Sequence, residues 1–152
     1  MHRQPAFFSV SLVAWSIFLY AGLIFACVVL QASYLGLTSG LGFGFSNRDT
    51  PPAGKNPFGH RIDRTIENLK EGGMMYLPLA ILAVMLETTN PWAQGAALTT
   101  MISRLLYVPI YLAGIPLLRT LVWTPGLFAI PAMGYGIWLK LGPSALSTGA
   151  QI

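Results

Sequence analysis

From Phe7 to Leu37 the chain carries no charged side chain, and Gln31 is its only strongly polar residue. As a helix, a run of roughly 30 residues crosses a hydrocarbon core about 30 Å thick with some tilt to spare. It is also far longer than the roughly 7–15-residue apolar region of a secretory signal, so it reads as a retained first span. The rest of the chain agrees. Of its 152 residues, 54% are hydrophobic and only 9% charged, against about 25% charged in a soluble domain. So few charges could not coat a surface in water, which leaves lipid as the surrounding medium. The length allows one domain.

Three further apolar segments follow. The connection over 38–59 holds five glycines and three prolines and reads as a loop. It is either a plain connector or a lid over a site between helices, with Phe43, Phe45 and Phe58 at the interface. Span two, about 60–88, starts charged (HRIDRTIENLKE) and turns apolar, with Pro78 as a kink. Span three, about 92–118, carries Arg104 in its middle, with Pro109 and Pro116 later; span four covers about 121–141. A tight turn is expected near Arg119 and Thr120, and a disordered tail after Leu141. The fold class is an all-α membrane protein, a four-transmembrane-helix bundle.

The net charge is +4, but the nine basic residues are scattered and form no aromatic-basic patch, which argues against nucleic acid. They follow the positive-inside pattern better. Arg48, Lys55, Arg61 and Arg64 flank the first connection and Arg119 the third, while the second has none. Both termini are then periplasmic, with Arg3 and Lys140 as the contrary signs. Cys27, the only cysteine, supports neither a disulfide framework nor a metal site and reads as a buried small hydrophobe.

Chemistry concentrates on spans two and three. On a helix at 100° per residue, Arg61, Arg64, Asn68 and Glu71 share a strip about 80° wide. Asp63, Glu67 and Lys70 fall on the adjoining face and read as solvated helix-end charges. Arg104, Tyr107, Tyr111 and Gly114 repeat the spacing on span three. A lone charge as deep as Arg104 costs several kcal/mol. It therefore requires a carboxylate or water, and Glu71 is the nearest acid by depth. Within the first strip, Arg64 could pair with Glu71 across Asn68. The two strips are either a hydrogen-bond network joining the spans or a site for a polar ligand, and the tyrosines either interfacial anchors or ligand contacts. Gly114 would let helices approach closely.

Two segments, RTIENLKE (Arg64–Glu71) and RLLYVPIYLAGIPLLRT (Arg104–Thr120), resemble the MAPEG family, the membrane-associated proteins of eicosanoid and glutathione metabolism. They are similar to its second-helix R-x-x-x-N-x-x-E, and to its third-helix R-x-x-[YH]-x-x-x-Y with the arginine that follows. The resemblance covers roughly residues 7–141. It implies a bacterial inner-membrane homotrimer with glutathione sites between neighbouring subunits near the cytoplasmic side. Arg64, Asn68 and Glu71 would hold the tripeptide's charged and amide groups, with Arg61 and Arg104 on the same two strips. Tyr107 and Tyr111 would add hydroxyl contacts. Arg119, with Thr120, would sit beside the thiol as the catalytic cation, in a glutathione S-transferase or peroxidase acting on lipophilic electrophiles. The sequence departs from the family pattern at three places. Span one offers only Gln31 and Ser33 where some members carry an arginine, Glu67 precedes Asn68 where some carry a base, and Trp123 stands at a tyrosine position. Against the enzyme stand a non-catalytic membrane subunit built on the same fold and, less favoured, a small transporter component.

Overall fold

The computed structural model describes residues 11–40, 42, 45, 47 and 56–148, with side chains through 142. The start of the expected first span and most of the expected lid lie outside the described residues. Four helices account for nearly everything else: α1 (Leu12–Ser39), α2 (Pro57–Met85), α3 (Pro91–Ala113) and α4 (Pro116–Thr148). Helices α2 and α3 touch each other and both of the remaining two. Among the described residues α1 and α4 do not meet.

The helix ends differ from the sequence expectation, for local reasons. Helix α2 begins at Pro57, not near His60, because Asn56 caps it and Pro57 takes the first turn. The Asn56 Oδ1 accepts from the Gly59 N–H at 2.9 Å and from the Tyr34 hydroxyl of α1 at 2.9 Å. Helix α2 closes earlier than expected. The Glu87 N–H donates to Val84 O and the Thr88 N–H to Ala83 O, with Glu87 left-handed at φ 50°. Helix α3 closes the same way. Gly114 is left-handed (φ 78°), its N–H donates to Tyr111 O, and the Ile115 N–H donates to Ile110 O. This double closure satisfies the last carbonyls of a helix. Pro116 then restarts the chain as α4. Arg119 and Thr120 therefore ride the first turn of α4 and do not form the turn itself. At the far end α4 continues through 142–148 as helix, in place of the expected disordered tail; Ala145 and Leu146 are strong helix formers.

Two of these helices, α1 and α3, are long and apolar enough to cross a membrane by length and composition. The outward faces suit such a medium: Phe18 is 72% exposed, and Phe25, Leu37 and Met85 are similarly bare. Inside, small residues such as Ala80, Ala83, Ala93 and Ala97 let the backbones approach. Tyr20 of α1 stacks on Tyr76 of α2 with centroids 6.0 Å apart. The Tyr20 hydroxyl donates to Leu69 O, and the Tyr76 hydroxyl shares a 2.6 Å hydrogen bond with Ser16.

One residue links all four helices. Arg104 of α3 is 2% exposed. Its guanidinium carbon lies 5.8 Å from the Tyr20 ring of α1, and its Nη1 donates to Asn68 Oδ1 of α2 at 3.2 Å. Gly72 of α2 makes room for it: a Cβ there would stand 2.6 Å from Arg104 Nη2 and 2.8 Å from the Tyr20 oxygen. On α4, a Cβ at Gly126 would lie 3.7 Å from the guanidinium carbon. Arg104, expected to need a carboxylate or water, meets an amide oxygen and ring faces here. Neutral acceptors and aromatic quadrupoles stabilise a guanidinium without burying a second charge.

Substituting Gly72→Ala should overpack this junction and cost about 1–3 kcal/mol, read as a lower melting temperature in detergent. An unchanged melting temperature would contradict the described packing. At the opposite end, Asn90 caps α3 and donates to Gly136 O of α4 at 2.7 Å. Asn90→Ala should cost about 1–2 kcal/mol by removing both interactions, and the same thermal measurement checks it.

Candidate functional site

The polar strip of α2, the second half of α3 and the first two turns of α4 converge at one end of the bundle. The α3 closure at Gly114 and the restart at Pro116 produce this convergence. They fold Arg119 back over the tyrosines that precede the turn. The guanidinium carbon of Arg119 lies 5.0 Å above the Tyr111 ring, and the Tyr107 and Tyr111 rings are 5.3 Å apart.

A cavity of about 370 Å³ results. Helix α2 contributes Arg64, Glu67, Asn68 and Glu71; α3 contributes Tyr107 and Tyr111; α4 contributes Arg119, Thr120 and Trp123. The wall carries two guanidiniums and two carboxylates, so its formal charge is balanced. Balanced walls of this kind suit a ligand that is itself zwitterionic, and the phenol, hydroxyl and amide groups add neutral hydrogen-bonding positions.

The internal pairing differs from the expectation. Arg64 Nη1 bonds Glu67 Oε2 at 3.2 Å, not Glu71, in an exposed i,i+3 pair. Such a pair is worth little and opens easily. Among the described residues Glu71 has no ion-pair partner. Its carboxylate lines the cavity as an available acceptor. Asn68 faces two ways: its oxygen accepts from Arg104 behind it, so the amide hydrogens are the group left for the cavity. Thr120 donates to Pro116 O at 3.2 Å, which leaves its oxygen lone pairs to accept.

The sequence-derived candidates therefore divide. Arg64, Asn68, Glu71, Tyr107, Tyr111, Arg119 and Thr120 come together on one cavity. Arg104 lies behind the wall and supports Asn68. Arg61 lines a smaller adjoining chamber with Tyr111, Gly114, Ile115, Pro116 and Arg119. Two wall residues lie outside the sequence-derived set. Glu67 falls on the neighbouring helix face, yet it sits only about 40° from Glu71 on the helix. Trp123 follows Arg119 by four residues, which places both on one face of α4. Gln31 has a structural role: its Nε2 donates to Asp63 Oδ1 at 2.7 Å, tying α1 to α2.

The MAPEG family model covers residues 6–139, most of the chain. No curated protein and no solved structure matches. The chain belongs to the MAPEG family and is a membrane protein.

Proposed function

Taking that membership as premise, we propose that this membrane protein binds glutathione in the α2–α3–α4 cavity and uses its thiol against lipophilic electrophiles, as a transferase or peroxidase. The observation that carries the reading is the cavity itself. At about 370 Å³ it falls within the roughly 300–1,000 Å³ of small-molecule sites. Its polar groups suit a peptide with two carboxylates and one ammonium. Arg64 offers a guanidinium to a carboxylate, Glu71 an acceptor to the ammonium, and the Asn68 amide hydrogens a donor to a peptide carbonyl. Tyr107 and Tyr111 supply hydroxyls from the opposite wall.

Arg119 is the catalytic residue of this proposal. A free thiol has a pKa near 8.5, and the thiolate is the nucleophile. A guanidinium held at the cavity, steadied over the Tyr111 ring, favours the anion. On this reading the protein works as a homotrimer of four-span subunits in a bacterial inner membrane, termini periplasmic and cavity cytoplasmic. An apolar electrophile then arrives through the bilayer and the tripeptide from the cytosol. A purely structural network would leave the polar strips satisfied internally and no cavity between them. The unpaired Glu71 and the open volume favour a ligand.

The test is ultraviolet absorbance of the thiolate on adding glutathione to detergent-purified protein, with turnover of a lipophilic electrophile alongside. Wild type should show the thiolate signal. Arg119→Ala should lose it, and its turnover should fall roughly 10²–10³-fold, as when one donor to a developing anion is removed. If the wild type binds no glutathione, the enzyme reading fails and the non-catalytic membrane subunit takes its place.

A further inference from the structure

Four charged groups line the main cavity, and they are not equivalent. Arg119 is the cation assigned to the thiol, at the α4 wall. The peptide part of a bound ligand then faces one guanidinium, Arg64, and two carboxylates, Glu67 and Glu71. That guanidinium is already engaged, because its Nη1 bonds Glu67 Oε2 at 3.2 Å. Glu67 follows Arg64 by three residues and precedes Glu71 by four, so the three are neighbours along α2. The wall therefore runs basic, acidic, acidic over about 10 Å of helix. Among the described residues neither of the other nearby arginines relieves this. Arg104 lies behind the wall and gives its Nη1 to Asn68 Oδ1. Arg61 lines the adjoining chamber.

Free glutathione fits this wall imperfectly. Its γ-glutamyl head carries one ammonium and one carboxylate, is neutral as a unit, and suits Glu71 together with Arg64. Its glycine carboxylate is a surplus anion. With Arg119 serving the thiolate, that anion meets a wall of net negative charge, and Glu67 shadows the one guanidinium left to receive it. Like charges at such separations repel, and more strongly where water is partly displaced. On the premise that the cavity binds a thiol of the glutathione type, we propose that Glu67 sets which one. A γ-glutamylcysteinyl peptide whose C-terminal carboxyl is closed as an amide binds in preference to free glutathione, and a cationic amide binds most tightly. Glu67 is a specificity residue in this scheme, and the thiolate remains the task of Arg119.

Titration of full-length protein in detergent with three thiols tests this, each followed by thiolate absorbance. They are glutathione, its glycine amide and its 2-aminoethyl amide, which differ only in presenting an anion, a neutral group or a cation at the glycine end. The wild type should bind them in that rising order, the neutral amide about three- to ten-fold more tightly than glutathione, the size of one screened charge contact. Glu67→Gln removes a wall charge and frees Arg64, and it should reverse the order so that glutathione binds best. Glu67→Asp keeps the charge and should keep the wild-type order. The Glu67 side chain is 58% exposed, so both variants should fold, which their melting temperatures check. Comparing ratios between variants cancels the different acidities of the free thiols. Added salt should shrink the wild-type preference. Binding of glutathione by the wild type as tightly as its amide, or more so, overturns the proposal. So does an order that Glu67→Gln leaves unchanged. In both cases the thiolate still forms and the main-cavity reading stands. No thiolate with any of the three removes that reading and this one together.

Discussion

The bundle is organised around a single buried cation. Arg104 reaches the Tyr20 ring of α1, the Asn68 oxygen and Gly72 backbone of α2, and the space over Gly126 of α4, so it meets every other helix. Removing a guanidinium from water is expensive, and the cost is recovered only with good geometry and satisfied donors. Here the geometry comes from glycines that could hold no larger side chain. An amide oxygen and two ring faces, Tyr20 and Tyr107, offset part of that cost, while the buried Nε has no partner among the described residues. Because Arg104 also fixes the Asn68 amide, one interaction both joins the helices and orients a wall group of the cavity.

The two ends of the molecule are built for different purposes. At one, Asn90 caps α3 while its side-chain nitrogen grips the Gly136 carbonyl, and a Cβ at Gly136 would stand 2.9 Å from the Ala93 nitrogen. There α3 and α4 approach closely at Ala93 and Gly136. At the other, long charged side chains lie around open volume, held by one exposed ion pair and by cation–ring contacts. Contacts of this type are individually weak and exchange readily with a ligand.

Much of this was legible in the residue order, because helical periodicity fixes which side chains share a face. The strip Arg64, Asn68, Glu71 and its partners Tyr107 and Tyr111 needed only a 100° step and the assumption of neighbouring helices. What periodicity does not give is depth behind that face. Arg104 and Arg61 lie on the same strips, yet one supports the wall from behind and the other opens a separate chamber. Their fates depend on glycines of other helices, Gly72 for Arg104 and Gly114 for Arg61. The position of Arg119 depended likewise on one backbone event, the left-handed turn at Gly114, which a hydropathy pattern does not register. Glu67 shows the coarseness of a helical wheel: an offset of about 40° looks like a different face but still reaches the same opening.

Helices α2 and α3 stand between α1 and α4, which among the described residues do not touch. The cross-section of the subunit is therefore oblong. For a given area an oblong outline has more perimeter than a round one, and each outer helix turns a large arc of its circumference away from its own subunit. Hydrocarbon or sister copies must line that extra boundary.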